Sequence, residues 1–269
     1  MRETVSEWLP AILGATVPFV EARRKKTGGF GGTPGLPATI EDTYHALHVL
    51  ALAQMTSGRP GAPVCLADEN LRSYLAGVRQ SVPAGARTTY HLLQASRLAG
   101  LEFSPSAIER AVFTLPRAAN ALDDWYYTVR ILTEILHHDP RLLLAGRGMP
   151  AVMTMPWRTV DEAWMQLYLA QAWQVPHWPP AGLAAWFQAS QNGDGGFGFL
   201  PGSTSFVENC HYCLRALATL GVQPAEPDKA YQFIAGCQTA VGGFGRSYRA
   251  APFLDATWHG VAALALLCQ

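Results

Sequence analysis

The tetrapeptide Gly-Gly-Phe-Gly occurs three times in this chain of 269 residues, at positions 28–31, 195–198 and 242–245. The first copy lies in TGGFGGTPG, the second in QNGDGGFGF and the third in QTAVGGFG. Self-similarity at a fixed period is typical of repeat proteins, in which each repeat is one supersecondary unit that packs on its neighbours. The chain is therefore expected to fold as a series of related units.

An apolar segment with helical spacing follows each copy, and it opens with an acidic or small polar residue and an aromatic one. Six such segments align on one apolar position each, at Leu47, Leu93, Val129, Leu167, Leu214 and Val261. These positions lie roughly 36 to 47 residues apart, as expected when one helix pair is the repeating unit. Each interval also holds a second helical pattern, so the chain is predicted to alternate outer and inner helices six times.

The predicted fold is all-α, a single α/α barrel of six helical hairpins that spans residues 1–269 around a central apolar cavity. The inner segments read as nearly apolar all round, which is typical of helices buried on both sides. The glycine loops are expected at one rim, where tight reversals need positive φ angles and the phenylalanine packs into the turn.

Composition limits the classes of function. Twenty basic and twenty acidic residues give a net charge of zero, so no basic surface for nucleic acid is expected. The N-terminus lacks the layout of a signal peptide and no long apolar run follows, which predicts a cytoplasmic protein without a transmembrane segment. Five cysteines, an odd number, are expected to be reduced thiols.

The combination of Gln, Gly-Gly-Phe-Gly and an aromatic-led apolar helix resembles the repeat of protein prenyltransferase β subunits and of proton-initiated (class II) squalene and diterpene cyclases. TGGFGGTPG followed by DTYHAL is especially similar to a β-subunit repeat. The resemblance covers all six repeats. It implies an isoprenoid-handling enzyme of the prenyltransferase type, which holds a prenyl diphosphate in an aromatic-lined barrel.

Aromatic side chains near the start of successive inner helices could bound an apolar chain or stabilise a carbocation. The residues predicted to contact the ligand are Tyr44, Tyr90, Trp125, Tyr126, Trp164, His211, Tyr212 and Trp258. Packing between helices would account for each ring equally well. An aromatic–His pair also recurs at one position, as Tyr44-His45, Tyr90-His91 and Trp258-His259.

The resemblance further implies a zinc site, since zinc keeps the thiol of a prenyltransferase substrate deprotonated. Glu208 and Cys210 could stand for the Asp-x-Cys ligands of the family, with His259 as the ligand from the next repeat. Glu replaces Asp, however, and alignment of the two helices on their apolar residues places Thr257 opposite Cys210. A pair of buried thiols explains Cys210 and Cys213 as well.

A transferase must also bind a diphosphate, which the family does with basic residues in the loop before an inner helix. In the last repeat Arg246 and Arg249 occupy such a loop and could clamp the diphosphate, with Mg²⁺ bound to it. The resemblance to two-chain protein prenyltransferases also makes a partner subunit possible.

Two alternatives stay open. A single-domain class II terpene cyclase would use Asp123 or Asp124 as proton donor, although Ala121 replaces the first residue of the Asp-x-Asp-Asp motif. Helix capping explains these two carboxylates more simply than acid catalysis does. The other alternative is a non-catalytic barrel that binds an apolar ligand or a protein partner.

Overall fold

A computed structural model describes residues 2–57, 68–80, 85–106, 108, 122–144 and 156–268. The named helices are α1 (Arg2–Glu21), α2 (Ile40–Thr56), α3 (Glu69–Gln80), α4 (Ala86–Leu98), α5 (Leu122–Arg130), α6 (Pro140–Leu143), α7 (Val160–Trp173), α8 (Leu183–Ala189), α9 (Val207–Thr219), α10 (Pro227–Gly236) and α11 (Leu254–Leu267). A π-helical turn, Ile131–Ile135, continues α5. The described residues contain isolated β-bridges and no β-strand.

Six inner helices form a closed ring. In order around the ring they are α2, α4, α5, α7, α9 and α11, each packed against the next, and α11 packs back against α2. The apolar positions that align the six repeats are all buried, at Leu47, Leu93, Val129, Leu167, Leu214 and Val261. The all-α barrel predicted from the repeats is confirmed, while the assignment of residues 1–269 to one domain stays a prediction.

The remaining helices lie outside the ring. Helix α1 packs against α2 and α11, α3 against α4, α6 against α7, α8 against α9, and α10 against both α9 and α11. This is the alternation of outer and inner helices that the sequence predicts. Most of the outer segment predicted between α4 and α5, SAIERAVFTL, lies outside the described residues.

The three Gly-Gly-Phe-Gly copies form the same loop. Phe30, Phe197 and Phe244 are each fully buried, so the aromatic ring fills the turn as predicted. In the last copy Gly242 has a φ of +90°, and a Cβ there would lie 2.0 Å from the carbonyl oxygen of Ala15 on α1. Only glycine fits that conformation and that contact. The last loop therefore packs on the first helix, which closes the ring.

The inner helices carry a polar stripe and are not apolar all round. The residue that follows each aligned apolar position is polar in five repeats, namely His48, Gln94, Arg130, Tyr168 and Arg215, and is Ala262 in the sixth. All of these except Tyr168 line the space inside the ring. The closed ring therefore turns a repeated polar position towards its centre.

Candidate functional site

The ring of inner helices encloses a cavity of about 400 Å³. Cavities of this size accommodate small organic ligands. Six of the eight residues predicted to contact a ligand line it, namely Tyr44, Tyr90, Tyr126, His211, Tyr212 and Trp258. The cavity is thus bounded by aromatic rings from α2, α4, α5, α9 and α11.

Trp125 and Trp164 are buried but lie outside the cavity lining. Trp125 packs edge-on against Trp173, with 6.1 Å between ring centroids. The indole N–H of Trp164 donates to the hydroxyl of Tyr126 at 2.9 Å. These two tryptophans pack between helices, and Trp164 orients a tyrosine that does reach the cavity.

The aromatic–His pairs converge on the cavity from three helices. His45, His91 and His259 all line it, together with His48 and His211. The ring of Tyr44 stacks on His91 at 4.1 Å with an interplanar angle of 14°. The Nδ1 atoms of His211 and His259 share a hydrogen bond of 2.8 Å. The lining therefore combines aromatic rings with imidazoles, which the prediction of an apolar cavity did not include.

These imidazoles are neutral at physiological pH. Burial, followed by the charge of Arg87, lowers the pKa of His91 and of His259 to about 3. Burial also lowers the pKa of His48 to about 3, and it places the pKa values of His45 and His211 well below 6.5. Neutral imidazoles offer the ligand hydrogen bonds without adding charge.

An ion pair between the buried Arg130 and the half-buried Glu134, which the sequence analysis missed, lies on the cavity wall. The guanidinium of Arg130 donates to both carboxylate oxygens of Glu134, at 2.8 and 3.1 Å. Glu134 belongs to the π-helical turn that continues α5, and such turns are frequent at functional sites. It also accepts hydrogen bonds from the hydroxyls of Tyr90 at 2.6 Å and Tyr168 at 2.9 Å.

The Tyr90 hydroxyl is a central member of this network. The Tyr90 hydroxyl accepts from Arg130 and from the Gln94 amide while it donates to Glu134. Burial by itself would raise the pKa of Glu134, but the charge of Arg130 and the hydrogen bonds outweigh it and lower the pKa to about 2. Glu134 is therefore a fixed anion that neutralises Arg130, rather than a proton donor at neutral pH.

The residues predicted to bind zinc do not fit that metal. Cys210 is fully buried, its sulfur accepts the backbone N–H of Phe197 at 3.4 Å, and burial raises the pKa of the thiol above its usual value. Glu208 forms a salt bridge with Arg246, and His259 is hydrogen-bonded to His211. No group of three or more His, Cys, Asp or Glu in the described part of the chain could hold a metal ion. A bound zinc stays a prediction without support from this geometry.

Cys210 instead occupies a structural position of the repeat. The N–H of Phe30 donates to Thr43 Oγ1 at 3.0 Å, and the N–H of Phe244 donates to Thr257 Oγ1 at 3.0 Å. Cys210 receives the same bond from the phenylalanine of the second copy. The sequence alignment that placed Thr257 opposite Cys210 agrees with these contacts.

The substitution Cys210→Thr is therefore expected to cost at most about 1 kcal/mol of unfolding free energy, since threonine serves at two equivalent positions. The matched control, Cys213→Thr, buries a hydroxyl among apolar groups and is expected to cost about 1–3 kcal/mol. Urea denaturation measures the loss of unfolding free energy in both variants. Zinc content, determined by mass spectrometry, should be the same in Cys210→Thr and wild type. One zinc per wild-type chain that this variant lacks would show instead that Cys210 is a ligand.

The arginines predicted to clamp a diphosphate lie outside the cavity. Arg246 is exposed, and its Nε donates to Glu208 at 2.7 Å. Arg246 lines a second pocket at the rim, which also contains carboxylates. The residues that line this pocket are Thr39, Glu41, Asp42, His45, Arg246, Phe253 and Asp255. Arg249 is exposed and does not line that pocket. A diphosphate at this rim stays a prediction, and three carboxylates beside Arg246 weigh against it.

Asp123 and Asp124 begin α5 and do not line the cavity. Asp123 is exposed and Asp124 half-buried. A carboxyl that protonates an alkene needs apolar surroundings and direct contact with the ligand. The positions at the helix start match the capping interpretation more closely, and the role of these residues as acids stays a prediction.

A comparison with models of protein families identifies the family of this chain. The family model of the prenyltransferase alpha-alpha toroid domain matches residues 5–90 and 203–269, together more than half of the chain. The chain belongs to this toroid family. The resemblance inferred from the glycine loops is thereby confirmed. No curated protein matches the chain.

The two matched segments of the toroid carry most of the aromatic lining, including Tyr44, Tyr90, Tyr212 and Trp258. Arg130 and Glu134 lie between the matched segments, so their network is a feature of this chain that the family match does not cover. Among the helices of the described residues, none is both long and apolar enough to span a bilayer.

Proposed function

We propose that this toroid handles isoprenoids, and that it binds the hydrocarbon chain of a prenyl diphosphate in its central cavity. The observation that carries the proposal is the convergence of six tyrosine and tryptophan side chains, from α2, α4, α5, α9 and α11, on one cavity of about 400 Å³. Apolar ligands gain free energy from the surface that they bury against such rings. Membership of the toroid family supports an isoprenoid over other apolar ligands.

Filling the cavity tests this proposal. Ala265 lines the cavity on α11, so Ala265→Trp should occupy part of the space and weaken binding of farnesyl diphosphate at least tenfold. Isothermal titration calorimetry measures the affinity, and thermal unfolding verifies the fold. Ala218 is exposed on α9, and Ala218→Trp should bind as the wild type does. Equal affinity in both variants, or no binding of geranyl, farnesyl or geranylgeranyl diphosphate by the wild type, would refute the proposal.

The type of isoprenoid chemistry is a second question. The prenyltransferase interpretation requires a nucleophile and a group that activates it, and the residues predicted for zinc do not fit the metal. The cyclase interpretation requires an acid in the cavity, and neither Asp123 nor Asp124 lines it. Glu134 is in the cavity, but its lowered pKa makes it an anion.

These observations favour, as a second candidate, a toroid that binds an isoprenoid without transforming it. Incubation with farnesyl diphosphate in the presence of zinc and magnesium, followed by mass spectrometry of the products, separates the candidates. Tight binding without product would support the non-catalytic toroid. A cyclic product lost in Asp124→Asn would establish the cyclase, and transfer to an acceptor thiol would establish the transferase.

A further inference from the structure

The cavity contains more cations than carboxylates to pair with them. Arg87, Arg97, Arg130 and Arg215 line it, and Glu134 is the single carboxylate among the lining residues that the structure describes. Arg87 forms a salt bridge with Glu41 at 2.5 Å, and Arg130 pairs with Glu134. Neither Arg97 nor Arg215 has a carboxylate partner among the residues that the structure describes. Arg97 is exposed and donates to the backbone oxygen of Glu134 at 3.1 Å, whereas Arg215 is half-buried. A cation that is partly removed from water without a counter-ion, as Arg215 is, favours the binding of an anion.

Arg215 is the clearest of these cations. It is half-buried on α9, and its guanidinium lies 4.8 Å from the centre of the Trp164 ring. This cation–π contact holds the side chain in place but supplies no charge to neutralise it. All of its hydrogen-bond donors stay available to a ligand, since no described residue accepts from them.

The charges of three arginines act on the histidines that line the cavity. After burial, the charges of Arg130, Arg97 and Arg215 all lower the pKa of His48 on α2. Arg215 and Arg130 also lower the pKa of His211. Guanidiniums on α4, α5 and α9 therefore all act on His48, and all three side chains line the cavity.

The three arginines lie far from the rim that carries the glycine loops. Arg130 and Arg215 each follow the first residue of their helix by eight positions, which at 1.5 Å per residue is about 12 Å along the helix. Arg97 lies about 16 Å along α4 by the same measure. The glycine rim, at the other end of the helices, holds the carboxylates of Glu41, Asp42 and Asp255. The rim pocket thus holds three carboxylates beside Arg246, whereas the far end of the cavity holds three arginines and the carboxylate of Glu134 among the described residues.

We propose that Arg215 and Arg97, beside the Arg130–Glu134 ion pair, form an anion site at the end of the cavity away from the glycine rim, called the deep end, and that this site binds the diphosphate of the isoprenoid ligand. The hydrocarbon chain then runs towards the glycine rim, against Tyr44, Tyr212 and Trp258. This inference rests on the proposed function and reverses the orientation that a clamp by Arg246 and Arg249 would impose. Planar guanidiniums suit the site, because they bind phosphate oxygens with two parallel hydrogen bonds.

The test compares how arginine substitutions at the two ends of the cavity change the affinity for the ligand. Arg215→Ala should weaken the binding of farnesyl diphosphate roughly tenfold to a hundredfold, as expected for the loss of hydrogen bonds to a charged group. The binding of farnesol, which lacks the diphosphate, should change less than twofold. Arg249→Ala removes an exposed arginine at the glycine rim and should leave both affinities unchanged. Arg215→Lys should recover part of the lost affinity, and thermal unfolding verifies that each variant folds.

The outcomes separate this inference from the proposed function. If farnesyl diphosphate binds but depends on Arg246 or Arg249 and not on Arg215, the isoprenoid function stands and the deep anion site is refuted. If no isoprenoid binds, inorganic pyrophosphate is titrated alone into wild type and Arg215→Ala. Pyrophosphate binding that requires Arg215 would uphold the anion site although the proposed function had failed. Absence of pyrophosphate binding would overturn both.

Discussion

The free energy of unfolding is expected to fall by at least about 4 kcal/mol when the pH is lowered from 7.5 to 5.5. His45, His91 and His211 are buried, and their pKa values in the folded protein lie far below 6.5. In the unfolded chain each takes up a proton as the pH falls through about 6.5, whereas the folded protein excludes it. The stability that the neutral imidazoles contribute is therefore fully present above the pKa of histidine in the unfolded chain, and it decreases as the pH falls below that pKa. Each of these three histidines contributes about 1.4 kcal/mol over this interval. The half-buried His48 and His259, whose pKa values are lowered to about 3, add to the loss.

Urea denaturation at pH 7.5, 6.5 and 5.5 measures this loss. His91→Gln removes one titrating group and should reduce the loss by about 1.4 kcal/mol. His177 is exposed with a φ of +63°, which asparagine tolerates, so His177→Asn is a matched control with an unchanged pH dependence. A constant unfolding free energy across the interval would show that the imidazoles are accessible to protons in the folded state.

Glu134→Ala is expected to destabilise the protein by about 3–5 kcal/mol. Arg130 is 8% exposed, and removal of its carboxylate partner leaves a buried charge without compensation. Tyr90 and Tyr168 lose their acceptor in the same variant. Because the network joins α4, α5 and α7, its loss weakens three neighbouring helices of the ring.

The chain offers a control with the same spacing. Arg158 and Glu162 also form an ion pair four residues apart, but the arginine side chain is 72% exposed. Glu162→Ala should cost at most about 1 kcal/mol, as is usual for surface pairs. Equal losses in the two variants, measured by urea denaturation, would mean that the Arg130 network contributes no more than a solvated pair. Glu134→Gln separates the charge from the hydrogen bonds, since the amide oxygen still accepts from the tyrosines.

Much of the architecture could be predicted from local patterns. The Gly-Gly-Phe-Gly loops specify positive φ angles and a buried ring, and these depend on residues close in the chain. The aligned apolar positions, such as Leu47 and Val261, follow helical spacing and are buried in every repeat. Most of the aromatic residues that begin the inner helices could be placed near the cavity because they occupy one position of the repeat, although Trp125 and Trp164 pack between helices instead.

The charged residues of the cavity could not be placed in the same way. Arg130, Glu134 and Arg215 interrupt apolar helices, and a single helix gives no indication whether such a residue points to solvent or to an enclosed space. One signal was present: the residue after each aligned apolar position is polar in five of six repeats. Its meaning depends on the closed ring, which turns that position inward.

The sequence by itself determined the repeat, the alternation of helices and the toroid family, because each depends on spacing within one segment or between copies of it. The tertiary structure decided the character of the site. Whether Cys210 binds a metal or accepts the backbone N–H of Phe197, and whether Arg215 meets a carboxylate or none, depends on distances between segments far apart in the chain. Charges interact across space rather than along the sequence, so the polarity of the cavity emerges only when six helices close around it.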